Sequence, residues 1–425
     1  MLAGLYALPR TASKGPPTER PVAFGAVRGK LIERLAVAAV EVGANVQPDQ
    51  VVLVNVEAGQ EELARAVARA AYARGARFVD TVYFDSHVKR ARLELAPEET
   101  LDWVPPWYGQ RLRDLSRLYG ARISLTPSIA PGVLDGLDPA RAGKDALPYL
   151  VETFEVINAR TTNWTVVPSP SARWASAVYP DLPEEEAYTR LWEELVHICR
   201  LDEEDPAEAW RARMETIEAA CAKLETHRFD AIHFEGPATD LTVGLLPSSR
   251  WLSARWTTVD GIRHLANIPS EEATSAPDPE RVDGVVRATR PLDVDGTVVR
   301  GLTVRFENGR AVEVEAEENA DVLRGRLASD EGAARLGEIA LVDRESRVGK
   351  LGTTFANTLL DENAASHLAF GNAYEICVES AEDRARLNAS GIHIDFMIGS
   401  DEIAVDGLTA SGERVPVLRA GAWQL

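Results

Sequence analysis

Two polar side chains alternate with apolar ones in a short run near the C-terminus. Residues 391–399 read Gly-Ile-His-Ile-Asp-Phe-Met-Ile-Gly, so His393 and Asp395 are two positions apart. Successive side chains of a strand point to opposite faces, and this spacing therefore predicts both polar groups on one face. A metal ion would compensate the burial of both, because imidazole and carboxylate are ligands for zinc, cobalt or manganese. A hydrogen-bonded His–Asp pair at a domain interface explains the strand equally well.

A second polar group lies upstream, within residues 357–371. There Asp361, Glu362 and Asn363 precede His367 in a stretch that otherwise consists mostly of Leu, Ala and Phe. A helix start capped by Asp361 or Asn363 is a reasonable explanation of those two residues. It explains Glu362 and His367 less well, so these two are candidates for chemistry.

Two further carboxylate positions precede these groups. Glu338 begins the apolar run 339–342, and Glu271 and Glu272 follow Pro269 and Ser270. The Pro-Ser-Glu-Glu order is also typical of a helix N-terminus, which is the better explanation for one of the two glutamates. None of these groups of polar residues indicates a particular chemistry by itself. Their occurrence together, in this order along the chain, does.

The predicted helices and strands that position these residues follow a different pattern in each half of the chain. In the first half, continuous apolar runs alternate with stretches of helical spacing, which predicts an α/β domain with a mostly parallel sheet. The predicted strands are 51–56, 77–84, 122–125, 163–167 and 231–235, and the predicted helices are 61–74, 109–119, 184–200 and 206–224.

The pattern of the second half is typical of an α+β domain, and the candidate metal-ligating residues lie in it. Asp295-Gly296 and Asn308-Gly309 between β-rich runs predict hairpin turns. The predicted strands are 282–288, 298–306, 311–316, 338–342 and 392–398, with a helix at 318–327. We therefore predict an N-terminal α/β domain at 1–245, with an extended arm at 1–22, and a C-terminal α+β domain at 246–425 that holds the candidate metal-binding and catalytic residues.

Composition excludes several classes of protein. The 425 residues carry a net charge of −20, and this charge would repel nucleic acid. Three cysteines do not make a thiolate metal cluster or a disulfide framework. No apolar run reaches the roughly 18 residues that span a membrane, and the N-terminus lacks the charge order of a secretory signal. We expect a cytoplasmic protein that binds neither nucleic acid nor membrane.

Taken in order, the polar blocks resemble the M29 family of metallo-aminopeptidases. The matching blocks are residues 267–277, 337–342, 357–371 and 393–400, and residues 281–289 also fit. The resemblance implies two divalent ions, zinc, cobalt, manganese or magnesium, and a homodimer. By the same resemblance Glu362 is the catalytic glutamate and Tyr374 lies near the substrate. The implied metal ligands are Glu272, Glu338, His367, His393 and Asp395, with Glu272 favoured over Glu271.

The resemblance implies an enzyme that releases N-terminal amino acids from peptides with a free N-terminus. Two ions would activate a water molecule, and Glu362 would serve as its general base. Tyr374 would donate to the developing oxyanion. Two alternatives are a metal-dependent dipeptidase or amidohydrolase, and a non-catalytic binding module whose His and carboxylate groups hold a structural cation.

Overall fold

The computed structural model describes residues 20–145 and 147–425, and its first half is built around a parallel sheet. All three strand pairings in this sheet are parallel, which confirms the predicted α/β fold with a parallel sheet. β1 is buried along most of its length, as its continuous apolar run predicts. The strands, which pair in the order β2-β1-β3-β4, are β1 (Val51–Glu57), β2 (Phe78–Phe84), β3 (Ala121–Thr126) and β4 (Asn163–Pro168).

Nine helices of the described residues accompany this sheet. Residues 1–19 of the predicted arm lie outside the described residues, and residues 20–22 belong to the first helix. The helices are α1 (Arg20–Ala38), α2 (Glu61–Ala73), α3 (Ser86–Leu95), α4 (Trp107–Arg117), α5 (Pro139–Lys144), α6 (Glu152–Ala159), α7 (Ala172–Val178), α8 (Glu184–Ile198) and α9 (Pro206–His227).

The second half is dominated by antiparallel strands, as predicted. They are β5 (Ala231–Gly236), β6 (Thr239–Leu245), β7 (Arg255–Thr257), β8 (Arg263–Leu265), β9 (Glu272–Ser275), β10 (Pro277–Arg287), β11 (Leu292–Val294), β12 (Thr297–Val299), β13 (Thr303–Glu307), β14 (Arg310–Glu315), β15 (Leu336–Val342), β16 (His367–Gly371), β17 (His393–Met397), β18 (Ala404–Leu408), β19 (Arg414–Arg419) and β20 (Ala422–Trp423). The helices are α10 (Ala320–Leu327), α11 (Arg347–Leu351), α12 (Thr358–Glu362) and α13 (Ala381–Arg384).

Both predicted hairpin turns are present, but one predicted strand is wrong. Val294 pairs with Thr297 around Asp295-Gly296, and Glu307 pairs with Arg310 around Asn308-Gly309. The predicted strand 298–306 is instead two strands, β12 and β13, interrupted at Gly301. Gly301 has a φ of +64°, which breaks the extended backbone and sends the chain from the small β11–β12 hairpin into the large sheet.

A four-stranded antiparallel sheet, ordered β17-β16-β15-β9, carries most of the chemical residues. Its register places Ala369 of β16 between Asp395 of β17 and Glu338 of β15. On the opposite face, Phe370 stacks on Phe396 with ring centroids 4.8 Å apart. The alternation predicted for β17 therefore holds, with polar groups on one face and apolar packing on the other.

Larger pairings tie the two halves of the chain together. An eight-stranded sheet has the order β14-β13-β10-β6-β5-β18-β19-β20, so β5 and β6 pair with strands of the second half although they precede residue 245. At another seam, Val166 of β4 donates to the Ala266 carbonyl and accepts from the Ile268 amide. The domain division near residue 245 stays a prediction. None of the helices within residues 20–145 and 147–425 has the length and apolar character needed to cross a membrane.

Candidate metal centre

The antiparallel sheet and its flanking loops bring all five predicted metal-ligating residues into one buried cluster. Two groups of three can be drawn in it, each with ligand atoms within 4.8 Å of one another. Both groups contain Glu338, which lies at the middle of the cluster. The first group is Glu272, Glu338 and His367, and the second is Glu338, His393 and Asp395.

The two imidazoles are held in the same manner. Nδ1 of His367 lies 3.2 Å from the Ala365 carbonyl, and Nδ1 of His393 lies 2.8 Å from the Asn372 carbonyl. A carbonyl only accepts, so each Nδ1 carries the hydrogen. Each Nε2 is then the acceptor of the neutral ring and is directed at the carboxylates, as is usual for a metal-ligating histidine.

Distances within the cluster are close to those between ligand atoms around one ion. Nε2 of His393 lies 3.0 Å from Oε2 of Glu338 and 3.5 Å from Oδ1 of Asp395. Nε2 of His367 lies 3.1 Å from Oε2 of Glu272, an oxygen that accepts no hydrogen bond among the described residues. Ligands about 2.0–2.2 Å from one tetrahedral ion are separated by about 3.3–3.6 Å, so the 3.5 Å pair matches this spacing and the 3.0 and 3.1 Å pairs are slightly shorter. A buried carboxylate oxygen facing an imidazole in this way has a place for a cation.

The electrostatics show the same need for positive charge. Burial by itself lowers the pKa of His367, but the carboxylates of Glu272, Asp395 and Glu338 outweigh it and raise that pKa to about 10. Burial likewise opposes a raised pKa at His393, where the carboxylates of Asp395 and Glu338 raise it well above its usual value. Protons on the imidazoles thus balance the carboxylates in the ion-free protein. A divalent cation would replace them, because histidine binds metals in its neutral form.

Glu362 lies beside this cluster without belonging to either group of three. It ends α12, is 8% exposed, and its Oε1 accepts from Nδ2 of Asn267 at 3.3 Å and of Asn363 at 3.4 Å. Burial, together with the negative charges of Asp395 and Glu272, raises its pKa well above the usual value. A carboxyl group with a raised pKa next to a ligand cluster is suited to proton transfer.

Tyr374 lies on the other side of His393, with ring centroids 5.1 Å apart. Burial raises the pKa of its phenol, so the group stays protonated and can donate. Phe154 of α6 packs 6.3 Å from the Tyr374 ring, and Trp256 of β7 packs 5.3 Å from it. These aromatic contacts hold the phenol at the wall of a cavity that the metal-ligating candidates also line.

The structure separates the two adjacent glutamates. Oε1 of Glu271 accepts from Nη2 of Arg200 at 2.8 Å, and its Oε2 accepts from Nε of Arg213 at 2.5 Å. Glu271 is 1% exposed and is therefore engaged in a buried ion-pair cluster directed away from the candidate ligands. Glu272, the next residue, faces His367. The helix start that the Pro-Ser-Glu-Glu order suggested is absent, because β9 begins at Glu272.

Replacing Glu271 by Ala is expected to lower the free energy of unfolding by about 3–5 kcal/mol, because two buried guanidinium groups lose their shared partner. Urea denaturation of the metal-free protein measures the change. The matched control is Glu208→Ala, which removes an ion pair between exposed side chains with Arg211 and should cost about 0–1 kcal/mol. Equal losses in the two variants would contradict a special role for the Glu271 cluster.

A cavity of about 980 Å³ lies between the parallel sheet and the four-stranded antiparallel sheet that carries the candidate ligands. The carboxyl ends of β1 and β3 and helix α6 line one side, and the candidate ligands line the other. Cavities of this size hold small organic ligands and short peptides. The first half of the chain therefore forms the wall of the cavity that faces the candidate ligands.

Several residues that contact or line the site were not predicted from the sequence. Asn267 and Thr274 lie within residues 267–277, one of the segments that resemble the M29 family. Their side chains donate hydrogen bonds to Glu362 and Glu338, which are 95 and 64 residues away along the chain. Arg122 also lines the cavity, from the middle of the parallel sheet. A charged residue at the start of the apolar run 122–125 was the available signal, because a buried strand position rarely holds an unpaired charge.

Comparison with known proteins identifies the family. The profile described as thermophilic metalloprotease (M29) matches residues 29–423. Aminopeptidase T of Thermus thermophilus is 43% identical over 401 residues, 92% of this chain and 98% of that protein. Aminopeptidase AmpS of Bacillus subtilis is 37% identical over 395 residues, 91% of this chain and 96% of that protein.

A solved structure agrees with these sequence matches. Wild-type AmpT from Thermus thermophilus superimposes with a TM-score of 0.83 at 42% identity, covering 93% of this chain and 99% of that chain. The predicted resemblance is thereby confirmed over nearly the whole chain, and the chain belongs to the M29 family of metalloproteases.

Proposed function

We propose that this protein is a metal-dependent aminopeptidase that releases N-terminal amino acids from peptides. As a member of the M29 family it is a metallopeptidase, a hydrolase that acts on peptide bonds. The relatives named above are called aminopeptidases. The observation that carries the proposal is the pairing of two ligand groups through Glu338 with a separate buried carboxyl, Glu362, beside them.

We infer two divalent ions, since five ligand side chains exceed what one tetrahedral ion takes. Glu272 and His367 would hold one ion, His393 and Asp395 the other, and Glu338 would contact both. The ions are zinc, cobalt, manganese or magnesium, all of which accept a mixture of carboxylate and imidazole ligands to different degrees. When bound, they supply Lewis acidity to the scissile carbonyl and lower the pKa of a water molecule.

The chain's own residues move the protons. Both amides that contact Glu362 donate to Oε1, which leaves Oε2 to take the proton of the attacking water. The same oxygen then gives that proton to the departing amine. Tyr374, with its phenol protonated, donates to the oxyanion that develops on the carbonyl. A binding module that only holds a cation needs neither Glu362 nor Tyr374 at these positions.

Removal of the metal tests this function. Exhaustive chelation should abolish hydrolysis of leucine anilide, and titration with cobalt, zinc or manganese should restore it at two ions per chain. Peptides with a blocked N-terminus should resist cleavage, which separates an aminopeptidase from a broader amidohydrolase. Full activity in metal-free protein, or equal cleavage of blocked and free peptides, would refute the proposal.

We also propose a homodimer in the cytoplasm. The dimer follows the family resemblance, and the location is supported by three buried cysteines, Cys199, Cys221 and Cys377, all free thiols as expected in a reducing compartment. Light scattering should give about twice the chain mass of 46.3 kDa. A monomer mass at working concentrations would remove the dimer from this proposal.

A further inference from the structure

Arg122 is a buried cation that has no acidic partner among the described residues. It lies on β3, is 8% exposed, and lines the cavity of the metal centre. Its Nη1 donates to Oγ1 of Thr153 at 3.3 Å, while its Nε is buried and has no hydrogen-bond partner among the described residues. Within residues 20–145 and 147–425 Arg122 forms no ion pair with a carboxylate, and no carboxylate is among the groups that act on its pKa.

The surroundings of Arg122 compensate its charge only in part. Its guanidinium lies over the ring of Trp164, 5.8 Å from the centroid, which supplies a cation–π contact. Burial lowers its pKa to about 10, so the group is still charged at neutral pH. A buried guanidinium with an unpaired N–H and a cavity in front of it has the properties of an anion-binding group.

The position of Arg122 relative to the metal centre is fixed by helix α6. Thr153 of this helix bonds to Arg122, and the next residue, Phe154, packs 6.2 Å from the His393 ring and 6.3 Å from the Tyr374 ring. A second path leads through Trp164, Trp256 and Tyr374, whose neighbouring rings are 5.5 and 5.3 Å apart. Arg122 and the candidate ligands thus line the same cavity, and a narrow band of aromatic side chains lies between them along its wall.

We propose that Arg122 binds the free carboxylate of short peptide substrates, which makes di- and tripeptides the preferred substrate class. This inference rests on the proposed aminopeptidase function and adds the substrate length to it. An extended residue spans at most about 3.3–3.6 Å, so a di- or tripeptide measures about 7–11 Å from end to end. With its amino end at the metal centre, such a peptide extends into the cavity that Arg122 also lines, where the unpaired Nε–H of the guanidinium can form a charge-assisted hydrogen bond with its C-terminal carboxylate.

Kinetics on matched peptides test the proposal. Wild-type protein should cleave Leu-Gly-Gly with a kcat/KM at least tenfold above that for Leu-Gly-Gly-amide, with the difference mostly in KM. In Arg122→Met this acid-to-amide ratio should fall to about 1. Arg111→Met is the matched control, because Arg111 lines the same cavity but is half-exposed and faces Asp80 at 3.5 Å. It should keep the wild-type ratio.

A third peptide, Leu-Glu-amide, distinguishes the two sources of a carboxylate. A gain over Leu-Gln-amide that disappears in Arg122→Met would show that Arg122 takes an acidic side chain, which would overturn the C-terminal assignment. Equal cleavage of Leu-Gly-Gly and its amide by wild-type protein would overturn it as well, whether or not the Arg122 variant folds.

Binding without turnover separates this inference from the proposed function. Calorimetry on the Glu362→Gln protein should show tighter binding of Leu-Gly-Gly than of its amide, and the added Arg122→Met change should abolish the difference. If wild-type protein cleaves no peptide but binds the acid form preferentially, the proposed function fails and the role of Arg122 stands. If it cleaves both forms equally and binds them equally, the role of Arg122 fails and the function stands.

Discussion

Glu362→Gln is expected to lower kcat for leucine anilide by about 10²–10⁴-fold, the usual loss when a general base is removed. The amide keeps the size of the side chain and its contacts with Asn267 and Asn363, but it cannot take a proton. Metal content and thermal stability should stay close to those of the wild-type protein, because Glu362 belongs to neither group of candidate ligands. Steady-state kinetics, metal analysis and thermal unfolding give the three measurements.

The residue before Glu362 offers a matched control. Asp361 is also a buried carboxylate, but its two oxygens accept from the backbone amides of Phe355 and Asn357. In Asp361→Asn the side-chain nitrogen cannot accept the second of these bonds, so stability should fall by about 1–3 kcal/mol. A Glu362→Gln protein that retains its metal and turns over at nearly the wild-type rate would remove Glu362 from the mechanism.

Loss of a metal ligand should have a different signature. His393→Ala is expected to bind fewer ions per chain and to lose activity with them, because its Nε2 is the nitrogen directed at Glu338 and Asp395. Added cobalt or zinc should raise the unfolding temperature of wild-type protein, since a ligand that binds only the folded state stabilises it. This increase should be much smaller in the variant.

The matched histidine control is His197, which is exposed and lies 3.0 Å from Asp202. His197→Ala should retain the metal stoichiometry, the activity and the stabilisation by added ions. A His393→Ala protein that binds two ions and remains active would exclude His393 from the site.

Local patterns were sufficient where the determining contacts are local. The alternation at residues 391–399 predicted one face for His393 and Asp395, and β17 has this arrangement. The choice between Glu271 and Glu272 was beyond such reasoning from the residues alone. It depends on Arg200, in the turn after α8, and on Arg213 of α9, which both form ion pairs with Glu271.

Long-range contacts also explain what the sequence did not predict. The charge of Arg122 at the start of an apolar run suggests burial, but only the folded structure shows that it lines the cavity with Thr153 and Trp164 as its contacts. The break at Gly301 separates β12, which pairs with β11, from β13, which pairs with β10 and β14, and these partners are not visible in the local pattern of residues. Hydrophobic periodicity reports on faces and does not report on partners in other elements.

The pairing of β5 and β6 with β10 and β18 determines how this protein can be dissected. A recombinant fragment that begins at residue 246 would keep every candidate ligand but would lack the two central strands of the eight-stranded sheet. Its β10 and β18 would then present unpaired backbone edges, the kind of surface on which chains associate into aggregates. The second half of the chain is consequently unsuited to use as a separate fragment, and a shortened protein that keeps this sheet intact has to begin upstream of Ala231.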